Sequence, residues 1–292
     1  MVQLSCLVVS TFLLSTATAV RVAQITPLHP PKFAYGQALV NSYETHKMFN
    51  SLDLYFIFSS AGDRDLWLNV TSRNIPGVYP VVYRGDLDLL AKHPTFMKKW
   101  WLLEQLVDRY DFFYVIDSEV AYVKQHDAFN VSNYIWSLKL VFGVTTPCFG
   151  ERIVQRSMWR FSESERSELF RHLRNGTLYL SYNEIPIVES KSAKAFITEF
   201  NVTSTPTGWG DFEDLTYIYF MMLRHGWVAV DLTPVTGQRC VSLGESGGGN
   251  RPALLRSQPH MAVRQAWRNM RSNFDDLDIV MTFNRDREVQ SR

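Results

Sequence analysis

Two carboxylates stand two residues apart in Asp117-Ser118-Glu119, directly after the apolar run Phe112-Phe113-Tyr114-Val115-Ile116. Strand residues at i and i+2 point to the same face, so the two acids read as half of a metal site at a strand end. Hard oxygen ligands suit Mg²⁺ or Mn²⁺, which bind through one or two carboxylates together with substrate phosphates. An acid after a buried strand is also often just a polar loop start or a helix cap. A second acidic cluster, Asp211-Phe212-Glu213-Asp214, follows the turn Pro206-Thr207-Gly208-Trp209-Gly210. There Asp211 can be a helix N-cap and Asp214 the N3 acid that the helix dipole favours.

The first pair depends on the elements before it. Phe96, Trp100, Leu103 and Val107 recur at i, i+4, i+7 and i+11, the spacing of a helix with one buried stripe. That helix is expected over Thr95 to Arg109, with Pro94 marking where it can begin. The run Phe112 to Ile116 lacks polar alternation, as a strand covered on both faces does. One strand is expected from Phe112 to Val123. Ligands of open α/β sheets bind in the crevice beyond the carboxyl ends of the strands, which is where Asp117 and Glu119 would lie.

Lys99-Trp100-Trp101-Leu102-Leu103, Tyr110-Asp111 and Asp117-Ser118-Glu119 together give the chain a resemblance to nucleotide-sugar glycosyltransferases of the GT-A fold. Those enzymes carry a Lys-aromatic-aromatic-Leu helix, a Tyr-Asp-hydrophobic strand and an Asp-x-Asp motif that holds a divalent metal on the donor pyrophosphate. Glu119 stands where the second Asp would be, and its longer arm shifts the metal position. The likeness spans Lys32 to Asp231 and is strongest between Phe96 and Val123.

The resemblance implies roles residue by residue. The end of the first strand, expected at Asn41 and Ser42, would meet the nucleoside, although either residue can instead cap the next helix. Lys99 would lie near the diphosphate as a point charge, or else on a solvated helix face. Trp100 and Trp101 fit the core better than a sugar-stacking platform. His260 would complete a metal shell with Asp117 and Glu119 around Mn²⁺ or Mg²⁺. Sugar transfer also needs a base for the acceptor hydroxyl and exclusion of water. Asp211, Glu213 and Asp214 are the acids available on the acceptor side. The implied partners are a nucleotide-sugar donor, UDP- or GDP-linked, and a glycan or glycoprotein acceptor. The alternative is a catalytically weak domain of the same fold that binds carbohydrate. A luminal hydrolase would need a nucleophile: Gly244-Glu245-Ser246-Gly247-Gly248 has the Gly-x-Ser-x-Gly spacing but does not sit between a strand and a helix as a nucleophile elbow does, and no His-Glu-x-x-His helix is present.

The N-terminus points to a compartment. Leu4 to Val20 is an uncharged run of apolar and small residues with Ala17-Thr18-Ala19 as a cleavage signature. Residues 1–19 are therefore expected to be a signal peptide or, alternatively, an uncleaved anchor. Sequons at Asn69, Asn130, Asn175 and Asn201 fit passage through the ER and Golgi lumen, with secretion as a further possibility. With Cys6 in the leader, Cys148 and Cys240 remain as a possible disulfide in that oxidising compartment.

Lys and Arg total 30 against 29 for Asp and Glu, so no basic excess exists to neutralise a nucleic acid backbone. A hydrophobic content of 46% suits a filled core. Residues 20–292 show no linker or repeat and are expected to form one domain. Strands are expected at Phe33 to Ser42, Leu54 to Ser59, Val78 to Tyr83, Thr177 to Tyr182 and Trp227 to Val230. Helices are expected at Asp127 to Phe142, from a Ser162–Glu165 capping box through Leu173, at Ser192 to Phe200, and on the Leu215, Ile218, Tyr219 and Met222 stripe. Pro80 would put its strand at a sheet edge or stand at the strand's start. This alternation predicts an α/β fold, GT-A-like, with a mainly parallel sheet and helices on both faces.

Overall fold

The computed structural model describes residues 20–71, 74–92, 94–116, 118, 120–122, 124–137, 139–143, 157–174, 187–204, 213–231 and 280–282. The expected leader, residues 1–19, and the expected strand Thr177 to Tyr182 lie outside them. Among the described residues no helix is long and apolar enough to cross a membrane.

The first half alternates strands with helices: β1 (Val22–Pro27), α1 (Phe33–Thr45), β2 (Asp53–Phe58), α2 (Ala61–Thr71), β3 (Val78–Val82), α3 (Leu87–Lys92), α4 (Pro94–Leu106) and β4 (Phe112–Val115). Further on come β5 (Val120–Tyr122), α5 (Ala128–Ser137), β6 (Leu140–Gly143), α6 (Glu163–Arg174), β7 (Ile187–Glu189), α7 (Ser190–Phe200), α8 (Glu213–His225), β8 (Val228–Asp231) and β9 (Val280–Thr282). The main sheet runs β3-β2-β1-β4-β7. Its first four strands are parallel, and β7 lies antiparallel to β4. Pro80 does sit on the edge strand. β5 pairs with β9, and β6 with β8, in two small separate sheets.

Strand parity divides the interior into two layers. Val22, Leu54, Phe56, Phe58, Phe112 and Tyr114 face α1 and α2, where Leu39, Val40, Tyr43 and Trp67 cover them. Ala23, Ile25, Tyr55, Ile57, Phe113 and Val115 face the other way, onto α4, α6, α7 and α8. The expected α/β architecture with helices on both faces is therefore present, around a mixed and mostly parallel sheet.

Three expected elements are corrected. Phe33 to Ser42 is helix, not strand: buried Gly36, Leu39, Val40 and Tyr43 fall at i, i+3, i+4 and i+7 on one face of α1. Gly36 lets that face approach closely, since a Cβ there would lie 2.9 Å from Leu28 Cδ2 and 3.1 Å from Trp67 Cη2. The first strand is instead Val22–Pro27, where buried Gln24 and Thr26 interrupt the apolar pattern. The expected strand Phe112 to Val123 is divided into β4 and β5, with Ser118 in a bend between them. The expected helix Asp127 to Phe142 ends at Ser137, because Lys139 takes a left-handed conformation at φ 51° and the chain turns into β6.

The capping box forms as expected. Ser162 N donates to Glu165 Oε2 at 2.8 Å, and Glu165 N donates back to Ser162 Oγ at 3.4 Å.

Trp100 is the largest fully buried side chain among the described residues, with its ring 5.0 Å from Phe196 and 5.7 Å from Tyr217. Its Nε1 has no hydrogen-bond partner. Trp100→Ala should cost about 3–5 kcal/mol in denaturant unfolding. Trp100→Phe should cost under about 1.5 kcal/mol, because it keeps an aromatic ring and removes an unsatisfied donor.

Candidate functional site

The chain leaves β1 through α1, on one face of the sheet, and reaches β4 from α4, on the other. Strand order thus reverses between β1 and β4, and at such a point the carboxyl ends of the strands part to leave a crevice. Leu28 N donates to Ile57 O at 3.0 Å just past β1, and Ile116 N donates to Ile25 O at 3.1 Å just past β4. These bonds hold the strand ends level at the rim. Ser118, the central residue of Asp117-Ser118-Glu119, is fully buried beyond the second of them.

Two lysines of α4 are buried, and one of them reaches the carboxyl end of β2. Lys98 is 2% exposed and Lys99 1% exposed. Lys98 Nζ donates to Ser59 Oγ at 3.1 Å, and Ser59 directly follows β2, so this ammonium stands at the carboxyl end of the sheet. Lys99 Nζ lies 6.0 Å from the centre of the Phe96 ring, at the limit of a cation–π contact. A buried ammonium is costly unless hydrogen-bonded or paired. Ser60, next along the same rim, caps α2 by accepting from Asp63 N at 3.1 Å. The helix α2 therefore adds the positive end of its dipole there.

A buried polar layer supports the rim from the α1 side. Gln24 and Thr26, both fully buried on β1, are joined by a 2.9 Å bond from Gln24 Nε2 to Thr26 Oγ1. Tyr122 OH donates to Gln24 Oε1, and Tyr122 N donates to Ser42 Oγ at 2.9 Å. Tyr114 OH donates to Ala128 O at 3.3 Å, and Ser132 Oγ donates to the same carbonyl at 2.7 Å. His126 stacks on Tyr114 with 6.4 Å between ring centres and 9° between planes. Burial pushes its pKa down to about 4, against a smaller opposing pull from the Lys124 backbone, whose contact falls short of a well-formed hydrogen bond.

The structure separates the residues that the sequence nominated. Lys99 is buried on α4, so the solvated-face alternative does not apply. Trp100 is core, and Trp101 is half-buried with its ring 5.1 Å from Tyr83. Asn41 and Ser42 belong to the last turns of α1, not to a strand end. Asn41 is exposed and accepts from Gln37 Nε2 at 3.0 Å, while Ser42 Oγ donates to Leu39 O at 2.8 Å and accepts from Tyr122 N. Their surroundings are structural, and the end of the first strand is held by Pro27, Leu28 and His29.

Glu213 and Asp214 are the first two residues of α8. Their side chains, along with Asp211, Asp117, Glu119, His260, Asn175, Cys148 and Cys240, lie outside the described residues. Asn69, Asn130 and Asn201 are exposed. Among the described residues no three His, Cys, Asp or Glu side chains come together as a metal site.

Lys98 and the Gln24–Tyr122–His126 layer escaped the sequence reading. A doubled lysine on a helix resembles a solvent face, and a Gln and a Thr in a strand resemble its outer side. The only available signal was the unbroken burial around Met97–Trp100 that two adjoining tryptophans imply.

A separate cavity of about 370 Å³ opens between α1, α2 and β3, with Val40, Trp67, Leu68, Thr71, Val78 and Pro80 among its walls. It lies toward the amino-terminal end of β3 and is lined by no titratable side chain.

Folded His126 stays neutral down to about pH 4, whereas an unfolded histidine takes up a proton near 6.5. Its contribution to stability is thus complete above pH 6.5 and is lost as pH falls toward 4, at about 1.4 kcal/mol per pH unit. Chemical denaturation across this range should show a clearly shallower acid limb for His126→Phe than for the parent. Taking the difference between the two removes Asp53, whose burial-raised pKa acts in the opposite sense. Compared with known proteins, the chain matches no family model and no characterised protein.

Proposed function

We propose that the protein is a glycosyltransferase of GT-A type that moves a sugar from a nucleotide-diphosphate donor to a glycan or glycoprotein acceptor in the secretory pathway. The observation that carries this reading is the pair of buried lysines on α4, Lys98 and Lys99, the first bonded to Ser59 at the carboxyl end of β2, together with the two acids that follow β4 in the sequence. Compact ammonium groups in a low-dielectric site favour phosphate oxygens. The carboxylates of Asp117 and Glu119 are hard oxygen donors of the kind that Mg²⁺ or Mn²⁺ takes alongside a diphosphate. His260 is a further candidate ligand.

In this reading the metal, when bound, stabilises charge on the departing nucleoside diphosphate. Lys98 and Lys99 orient the diphosphate and share that charge. An acid among Asp211, Glu213 and Asp214 takes the proton from the acceptor hydroxyl as the new glycosidic bond forms. Asn41 and Ser42 have no part in it.

Thermal unfolding with UDP-, GDP- and CMP-sugars, with and without Mn²⁺, tests the reading, since a ligand bound only by the folded state raises the midpoint. One nucleotide-sugar should raise the midpoint only when Mn²⁺ is present. Asp117→Ala should abolish that rise. Lys98→Met should weaken donor binding by roughly tenfold or more, the loss of a charge-assisted contact of about 1.5–3 kcal/mol. No rise with any donor, or an Asp117→Ala variant with undiminished transfer, would reject the proposal.

A further inference from the structure

Exposed apolar side chains concentrate on α2. Leu66, Leu68 and Val70 are 54%, 41% and 59% exposed, half of the six large hydrophobic side chains that are exposed among the described residues. The buried side of this helix is formed by Trp67 and Thr71, at 2% and 6% exposure. At about 100° per residue, Asn69 projects from the opposite side. Leu66 at i−3 and Val70 at i+1 flank it on one side, and Leu68 flanks it on the other, beside the cavity between α1, α2 and β3. Asn69-Val70-Thr71 is also a sequon.

We propose that Asn69 carries an N-linked glycan whose first sugars lie over Leu66, Leu68 and Val70 and cover them. The carboxamide nitrogen forms a bond to the anomeric carbon of a lipid-diphosphate-linked oligosaccharide. The bond from that carbon to the diphosphate oxygen breaks, the lipid diphosphate leaves with the electron pair, and the nitrogen gives up one proton to a base of the host's oligosaccharide transferase. Attachment precedes folding, so the hydrogen bond from Thr71 Oγ1 to Trp67 O at 2.9 Å in the folded helix does not stand in its way. A sugar ring has apolar C–H faces as well as hydroxyls, which fits it to a helix surface where aliphatic side chains surround one polar attachment point.

The other two described sequons lack this setting. Asn130 Nδ2 is tied to Asp127 Oδ2 at 2.9 Å, and Asn201 closes α7 in a left-handed conformation at φ 49°. Among the described residues neither has comparably exposed large apolar side chains beside it in the chain.

The test uses the full chain exported from a glycosylating eukaryotic host, behind an added signal if its own does not suffice, and is independent of transferase activity. Enzymatic removal of N-glycans in heavy-oxygen water, followed by peptide mass spectrometry, should mark residue 69 as a former glycan site. Asn69→Gln should lose monomer on gel filtration and gain binding of an apolar dye. Gln is a good helix former, so such a loss would not reflect helix propensity. Adding Leu66→Ser and Val70→Thr to that variant should restore monomer. An unmodified Asn69 in the exported protein, an Asn69→Gln variant as monomeric as the parent, or a failure of the added substitutions to restore monomer would each overturn the proposal.

Discussion

Every residue of β1 is buried, and the strand has a neighbour on each edge, so its backbone and its side chains find all their partners inside the protein. Its register with β2 and β4 aligns the carboxyl ends of three strands. Its two polar side chains then dictate what lies against the α1 face. Gln24 bonds to Thr26 and receives the hydroxyl of Tyr122, while the backbone of Tyr122 is held by Ser42 on α1. The chain between β4 and β5 is thereby fastened at both ends: at Ile116 by the carbonyl of Ile25, and at Tyr122 by Gln24 and Ser42.

The two ends of the sheet are built differently. At the amino end, Tyr110 OH donates to Asp53 Oδ2 at 2.6 Å and lies 2.8 Å from Tyr55 OH, while Ser190 Oγ donates to Tyr110 O and Arg21 pairs with Asp111. Burial raises the Asp53 pKa, and the Tyr110 bond opposes that rise. These contacts satisfy one another and tie β2, β4 and the start of α7 together. At the carboxyl end the fixed groups are Lys98, Ser59, Ser60 and the amino terminus of α2, where the arriving charge is positive. In open α/β sheets ligands bind at the carboxyl ends of the strands.

Elements with one dominant period were legible in the sequence. The α4 stripe, the apolar cores of β2 and β4, the α6 capping box and the edge position of Pro80 follow from side-chain spacing or from one local rule. α1 was not legible as a helix because Phe33 and Tyr35 read as strand residues, and its helical stripe depends on Gly36, against which Leu28 and Trp67 pack. β1 was missed because Gln24 and Thr26 look like an outward face and become inward only once Tyr122 arrives, some hundred positions later in the chain. The break between α5 and β6 rests on one left-handed lysine, a type with no intrinsic preference for that conformation. Of the site, only the buried strand that precedes the two acids could be read locally. The burial of Lys98 and Lys99 could not, since it depends on the packing of α4 against strands and helices remote in sequence.

Charge balance links the two halves of the proposed site. Two lysines and two carboxylates sum to no net formal charge, so a rim carrying only these groups attracts neither an anion nor a cation strongly. A diphosphate arriving alone would meet the lysines but also the repulsion of the acids, and a divalent cation arriving alone would meet the reverse. Together the cation compensates the carboxylates and the diphosphate compensates the ammonium groups, so each lowers the cost of the other. That is a coupling free energy between two ligands, and it is reciprocal. Within the proposed function, metal and donor therefore bind as one unit.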